Sequence, residues 1–426
     1  MGGLNVSQRE IQVDEKLPLL ESIPLSFQHL FAMFGSTVLV PIIFKVDPAT
    51  ILLMNGIGTL IYLFICRGKI PAYLGSSFAF ISPVLYVIGG KGYEAALGGF
   101  IAVGLVFIII SLIVHLVGTK WLDVVFPPVT MGSIVAIIGL QLIPTAAQSA
   151  GLIAAAGQKW SPDAATLITS MLTASITLLG WVLFRGFFKI IPILIGMVSG
   201  YVIAIGVGLV NFKPVAEAGW ISLPTFYQPT FDFSSISIIL PAALVVIAEH
   251  IGHLIVTGNI VGRDLMKDPG LDRSIFGNGI STVISGFVGS TPNTTYGENI
   301  GVLAITRVYS TWIIGGAAVI AVLLSFIGKL SALITTIPSA VVGGISLILF
   351  GVIATNGFRI FVESKVDFAK SQNIILATVI FAAGISGATI QIGLVPFNGM
   401  GLATLVGILL SLFFALMNKL HWSNEE

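Results

Sequence analysis

Gly289-Ser290-Thr291-Pro292-Asn293-Thr294-Thr295-Tyr296-Gly297-Glu298-Asn299-Ile300-Gly301-Val302-Leu303-Ala304-Ile305-Thr306-Arg307 reads in two halves. The first half is polar and carries a proline. The second is an apolar helix that opens on a carboxylate. What surrounds this stretch decides its meaning. Of the 426 residues, 56% are hydrophobic and only 9% charged, against roughly 25% charged in an ordinary soluble domain. Too few charges remain to coat a soluble protein, so a cytosolic enzyme and a secreted domain are excluded. With 20 basic and 19 acidic residues the net charge is +1, and no basic field exists to attract nucleic acid. One cysteine, Cys66, allows neither a disulfide framework nor a cysteine-built metal site. The stretch therefore lies in a membrane protein, as a helix interrupted inside the bilayer.

A membrane-spanning helix takes about 20 mostly apolar residues. Fourteen such segments are expected, starting near Ser26, Asp47, Tyr73, Tyr93, Leu122, Ala164, Ile190, Ser235, Ser274, Thr291, Thr311, Ile337, Gln372 and Gly399. Nothing before the first has the pattern of a cleaved signal peptide. With both termini cytoplasmic and one crossing per segment, Lys45, Lys91, Lys159, Lys213 and Lys329 fall on the far side. The other fifteen of the 20 Lys and Arg face the cytoplasm. That asymmetry is what the positive-inside rule demands, and a miscounted span would scramble it downstream.

The tenth segment has a counterpart seven spans earlier. The third, Tyr73 to Ile88, carries Gly75-Ser76-Ser77 early and Pro83 later. Seven is odd, so a second copy of a seven-span unit enters the membrane upside down. Other features recur at that separation. Gln28-His29 in span one answers Glu249-His250 in span eight. Pro127 and Gly132 in span five answer Pro338 and Gly343 in span twelve. Paired, interrupted segments in an inverted repeat point to a secondary transporter and to its binding site. An unwound stretch at mid-membrane is tolerated only where its backbone lines a cavity or binds something. A half-helix starting there aims free N–H groups and a positive dipole end inward. Phe78 and Gly297 stand where such half-helices begin.

Of the 19 acidic residues, Glu249 and Glu298 alone sit away from tails, loops and span ends. A charge at bilayer depth costs about 2.5–3.5 kcal/mol or more, which makes both of them functional candidates. His253 follows Glu249 by four residues, on the same helical face, where it can hold or relay a proton. His250 and His29 read as structural histidines. Gln28, Tyr296 and Asn299 either shape a site or tie the broken helix in place. No His, Asp and Glu set has metal-ligand spacing, so no metal and no cofactor are expected.

The run Glu298-Asn299-Ile300-Gly301-Val302-Leu303-Ala304-Ile305-Thr306-Arg307 resembles the signature of the nucleobase–ascorbate transporter (nucleobase:cation symporter-2) family. That signature is Gln, Glu or Pro, then Asn-x-Gly-x-x-x-x-Thr, then a basic residue or Gly. Gln28-His29 resembles the family's motif in its first span. The Glu at the first signature position, with Ala248-Glu249-His250, is similar to the uracil-transporting branch. The resemblance covers nearly the whole chain.

It implies an all-α polytopic membrane protein of fourteen transmembrane segments in two inverted seven-span repeats, with spans three and ten broken by short strands. A cytoplasmic tail (1–22) precedes a core domain, spans one to four (23–120) and eight to eleven (234–330). A gate domain holds spans five to seven (121–212) and twelve to fourteen (331–418), and residues 419–426 form a cytoplasmic tail. The resemblance further implies import of uracil with protons across a bacterial cytoplasmic membrane, and a homodimer through the gate domain. Carried over by motif, Glu249 and Glu298 become side-chain ligands of the base, with Phe78 and Gly297 as backbone donors. Glu249, Glu298 and His253 become the groups linked to proton coupling, and His253 also neighbours the base. Ser36 joins Gln28, Tyr296 and Asn299 as a site-lining candidate. Phe350 stands where some relatives carry Tyr, so a hydroxyl contact from the gate is in doubt.

The chemistry of uracil agrees, because carboxylates suit its N–H groups and half-helix N–H groups suit its carbonyls. The same fold carrying xanthine, uric acid or another base remains an alternative. An anion transporter is disfavoured by two intramembrane carboxylates. A channel lacks a pore-lining pattern, and an intramembrane enzyme lacks a nucleophile–base pair.

Overall fold

In the computed structural model, which describes residues 10–154, 157–161, 163–393 and 395–422, helices dominate. The chain begins with α1 (Leu19–Phe44) and α2 (Pro48–Ile65), then a short strand β1 (Leu74–Ser76). After it come α3 (Ile81–Lys91), α4 (Tyr93–Val117), α5 (Lys120–Val125) and α6 (Pro128–Ser149). Next are α7 (Ala164–Leu183), α8 (Pro192–Gly206), α9 (Lys213–Glu217), α10 (Phe233–Ile239), α11 (Ala242–Val261) and α12 (Leu271–Val288). A second short strand, β2 (Asn293–Thr295), leads into α13 (Gly297–Thr306), α14 (Thr311–Leu324), α15 (Gly328–Thr335) and α16 (Ser339–Glu363). The chain closes with α17 (Ser371–Ile385), a hairpin of β3 (Thr389–Ile392) and β4 (Val395–Asn398), and α18 (Gly399–Lys419). Taking α10 and α11 as one run, 8 helices among the described residues are long and apolar enough to cross a membrane. The chain is a helical, multi-pass membrane protein.

Local chemistry sets the helix starts. Asp47 caps α2 by accepting from the Ala49 N–H at 2.9 Å, with Pro48 at the first helical position. Pro127 and Pro338 stand at the N-caps of α6 and α16 in extended conformation, where a missing N–H costs nothing. Some boundaries differ from the sequence expectation. The eighth segment is two helices, because Pro241 follows Leu240 and interrupts the ladder between α10 and α11. The fifth starts after a separate short helix, α5, and the β3–β4 hairpin was not anticipated.

Glycines let the long helices meet backbone to backbone. A Cβ on Gly104 of α4 would lie 2.9 Å from the Gly279 carbonyl oxygen of α12. One on Gly56 of α2 would lie 2.6 Å from the Ala318 carbonyl oxygen of α14. In segment order these contacts join four to nine and two to eleven, pairs that exchange when seven is added or subtracted. An inverted repeat produces that pattern. Segments five and twelve, which exchange with each other, pack together: a Cβ on Gly139 of α6 would collide with the Phe350 carbonyl oxygen of α16. A Cβ on Gly357 of α16 would meet the Gly132 carbonyl oxygen of α6 at 2.5 Å. Gly132 thus serves contact between α6 and α16 themselves.

Candidate functional site

The two interrupted segments meet. β1 and β2 pair antiparallel, with Leu74 opposite Thr295, Gly75 opposite Thr294 and Ser76 opposite Asn293. Three residues of ladder satisfy backbone groups that a broken helix exposes in a medium without water. The pairing extends at both ends, with the Ser77 N–H donating to the Pro292 carbonyl at 3.3 Å and the Tyr296 N–H to the Tyr73 carbonyl at 3.0 Å. Side chains reinforce it. The Ser76 and Thr291 hydroxyls share a hydrogen bond of 2.5 Å. Asn293 donates to the Met54 carbonyl at 3.0 Å and to Ser281 at 2.9 Å, which ties β2 to α2 and α12.

From this double strand two half-helices lead away. Phe78 opens a one-turn 3-10 helix, Phe78–Phe80, that continues as α3, and Gly297 opens α13. Gly297 is the first residue of α13 and Glu298 the second, so the carboxylate sits at the positive end of that helix. Glu249 stands in the middle of α11, following the buried run Val245, Val246, Ile247 and Ala248. Glu249, His253, Gly297 and Glu298 are all half-buried within this otherwise buried region, as residues lining a cavity are. Glu298 and the Ser77 hydroxyl are both close enough to Glu249 to interact with it electrostatically. The Oε2 atom of Glu249 is buried with no partner among the described residues. An unpaired buried acceptor is costly, and a ligand N–H would satisfy it. His253 turns its Nε2 toward Gly297, 3.3 Å from where a side chain there would begin, and its Nδ1 lies 3.1 Å from the Thr295 hydroxyl. Phe350 of α16 closes one side, its ring meeting Phe78 edge-on at 6.0 Å between centroids.

Among the sequence candidates, Glu249, Glu298, Phe78, Gly297, His253 and Phe350 come together. Tyr296 and Asn299 hold the break in shape. The Tyr296 ring lies directly over Gly75, where any Cβ would collide with it. Asn299 donates to the His29 carbonyl at 3.2 Å, joining α13 to α1. Gln28 is half-buried on α1. The side chain of Ser36 lies outside the described residues. Sequence reasoning missed Ser77 and Thr295, because serines and threonines are common in such segments and only the fold shows which of them face Glu249 and His253. A separate cavity of about 1340 Å³, with Arg67, Asp272, Arg273 and Trp312 in its wall, lies along α2, α4, α12 and α14, away from these residues.

The architecture is that of a membrane transporter. The murine Solute Carrier 26 family member A9 anion transporter, in an inward-facing state, superposes with a TM-score of 0.70 at 11% identity, over 95% of this chain and 69% of that one. The transmembrane domain of a cyanobacterium bicarbonate transporter, BicA, superposes at 0.63 and 16% identity, over 94% and 100%. At those identities the likeness concerns the fold alone.

The chain belongs to the Permease family, whose profile matches residues 20–393, and it is a permease rather than an enzyme. It is 64% identical to a uracil permease of Paenibacillus larvae subsp. larvae, over 99% of this chain and 100% of that protein. It is 61% identical to a uracil permease of Escherichia coli (strain K12), over 98% and 96%. With a uracil permease of Bacillus subtilis (strain 168) it shares 46% over 92% of both.

Proposed function

We propose that this permease imports uracil across a bacterial cytoplasmic membrane together with a proton, by alternating access. The observation that carries the reading is the meeting of Glu249 and Glu298 at a paired helix break, with a carboxylate oxygen of Glu249 buried and without a partner among the described residues. Uracil is flat, neutral, and offers two N–H donors and two carbonyl acceptors. Glu249 and Glu298 accept from its N–H groups, and the backbone N–H groups of Phe78 and Gly297 donate to its oxygens. The Phe78 ring packs beside the base. A base lacking one of these groups leaves a buried polar atom unpaired, which gives selectivity. The near-full-length likeness to uracil permeases supports uracil over xanthine or uric acid.

The coupled proton resides on Glu249, Glu298 or His253. It neutralises charge in the site before the neutral base is bound, and leaves on the cytoplasmic side. Residues 23–120 and 234–330 act as the core that carries the base, and 121–212 and 331–418 as the gate, with fourteen crossings, both termini cytoplasmic, and two protomers joined through the gate.

Uptake of labelled uracil into proteoliposomes with an imposed pH gradient, in competition with other bases, tests the reading. Expected is uptake that an inward proton gradient drives, that a protonophore abolishes, and that uracil itself competes best. Sodium-driven uptake, or preference for a purine, would overturn it.

A further inference from the structure

His250 is buried behind the site and plays no part in holding the base, yet it is joined to the site by hydrogen bonds. The Thr295 hydroxyl lies between two imidazoles, 3.1 Å from Nδ1 of His253 and 3.2 Å from Nδ1 of His250. Nε2 of His250 lies 2.8 Å from the Ser274 hydroxyl, which lies 2.6 Å from the hydroxyl of Tyr62. Cys66, which caps the C-terminus of α2, follows Tyr62 by four residues, one helical turn on. Thr295, His250, Ser274, Tyr62 and Cys66 are each at most 3% exposed. The series crosses four elements, α11, β2, α12 and α2. It ends in the first turn of α12 and at the end of α2. There the 1340 Å³ cavity, with Leu63, Arg67, Asp272 and Arg273 in its wall, opens within one helical turn of Ser274.

We propose that His253, Thr295, His250, Ser274 and Tyr62 form a proton relay from the uracil site to the face carrying Arg67 and Arg273. The proposal rests on the proton-coupled reading above. Asn278 sets the direction at rest, because its side-chain N–H, 3.0 Å from Nδ1 of His250, makes that nitrogen an acceptor. The ring hydrogen then stands on Nε2, toward Ser274. When Nδ1 takes a hydrogen from Thr295, the Asn278 amide has to turn over and accept it through Oδ1, which has no other partner among the described residues.

The bookkeeping closes. A proton delivered to Nε2 of His253 releases the Nδ1 hydrogen to Thr295, and the Thr295 hydroxyl hydrogen passes to Nδ1 of His250. The Nε2 hydrogen of His250 moves to Ser274, the Ser274 hydrogen to Tyr62, and the Tyr62 hydrogen to a water that has to enter from the cavity beside Leu63, since Tyr62 is itself fully buried and outside the cavity wall. Every group ends neutral, one proton has left the site, and one has appeared at the far end. Reorientation of the hydroxyls and imidazoles resets the path. Besides its members, the charged or titratable groups around it are Glu249 and Glu298 at its entrance and Cys66, Asp14, Arg67, His115, Asp272 and Arg273 at its exit, where His115 pairs with Asp272 at 2.8 Å. A proton leaving this way does not need the route of the base to open.

The test uses the purified full-length protein in proteoliposomes holding a pH-reporting dye. Ser274→Ala and Tyr62→Phe each break the path outside the groups that touch the base, and Ser274→Thr restores a hydroxyl. Net uptake driven by a proton gradient is compared with counterflow, in which labelled and unlabelled uracil exchange at equal pH and no proton need be released. We expect both breaking variants to slow net uptake and internal acidification by roughly tenfold, the scale of losing one positioned proton-transfer group being that or more. Counterflow and calorimetric affinity should stay unchanged, and Ser274→Thr should recover net uptake. Wild-type net uptake in both variants would overturn the relay. So would equal loss of net uptake and counterflow, since that marks a merely structural network. Wild-type protein indifferent to the proton gradient would overturn the coupling reading itself, before any variant is made.

Discussion

The rings of Phe78 and Phe350 meet edge to face, 6.0 Å apart and inclined at 75°. Phe78 opens the half-helix after β1, and Phe350 sits in the middle of α16, whose Gly357 is locked against α6. This contact joins the element that would bind substrate to one whose backbone is held elsewhere. With Phe350 1% and Phe78 8% exposed, little of either ring is open to solvent or lipid. An edge-to-face pair is worth about 0.5–1.5 kcal/mol beyond the area it buries.

Phe350→Ala should therefore shift the balance between arrangements of the two parts. From the ring pair alone the shift is about 2- to 10-fold away from the arrangement described here. Spin-label distances between α1 and α16 would report it. An unchanged distance distribution would mean that the aromatic contact does not bias the equilibrium.

Glu249→Gln and Glu298→Gln keep size and swap an acceptor oxygen for an amide that also donates. A hydrogen bond to a charged group is worth about 1.5–3 kcal/mol, so each variant should bind uracil roughly 10- to 100-fold more weakly in calorimetry. Near-wild-type affinity in both would remove these residues from the site.

An oxidised cysteine pair joining α1 or α11 to α6 or α16 should abolish uptake while sparing binding. Cys66, which is buried, would first be replaced to leave a clean background. Full uptake in a quantitatively cross-linked sample would mean that core and gate need not move past each other.

Gly139→Ala drives a methyl group into the Phe350 carbonyl oxygen and the Ala354 backbone, where only backbone can yield. Overpacking of this kind costs about 1–3 kcal/mol. A lowered unfolding temperature in detergent is expected, whereas Gly301→Ala, with open space around it, should have little effect.

Much of this was legible in the chain because the membrane penalises exceptions. Glu249 and Glu298 stood out as carboxylates inside apolar runs, and Pro292 and Gly75-Ser76-Ser77 marked the breaks that the structure pairs as β1 and β2. The bend at Pro241 went unseen because the residues on either side are uniformly apolar, so hydropathy runs through it. Thr295, His250 and His253 were not assigned to one network, since the distances of 3.2 and 3.1 Å from Thr295 to the two rings arise only when β2 packs on α11. From sequence, Asn299 and Tyr296 could either shape the site or tie the half-helix in place. Their partners, His29 and Gly75, lie more than 200 positions away and reveal their structural part only in the fold.

The antiparallel pairing of Ser76 with Asn293 also bears on how the protein is made. A ribosome adding about 5–20 residues per second needs roughly 10–40 s to travel from one to the other. Throughout that interval the third segment has emerged with its ladder partner not yet synthesised, and its unwound backbone is unsuited to lipid. Either the insertion machinery shelters it, or it first enters as a plain helix and unwinds when its mate arrives. A nascent chain arrested before Asn293 would show which, by the protection of residues 74–76 from water-soluble reagents.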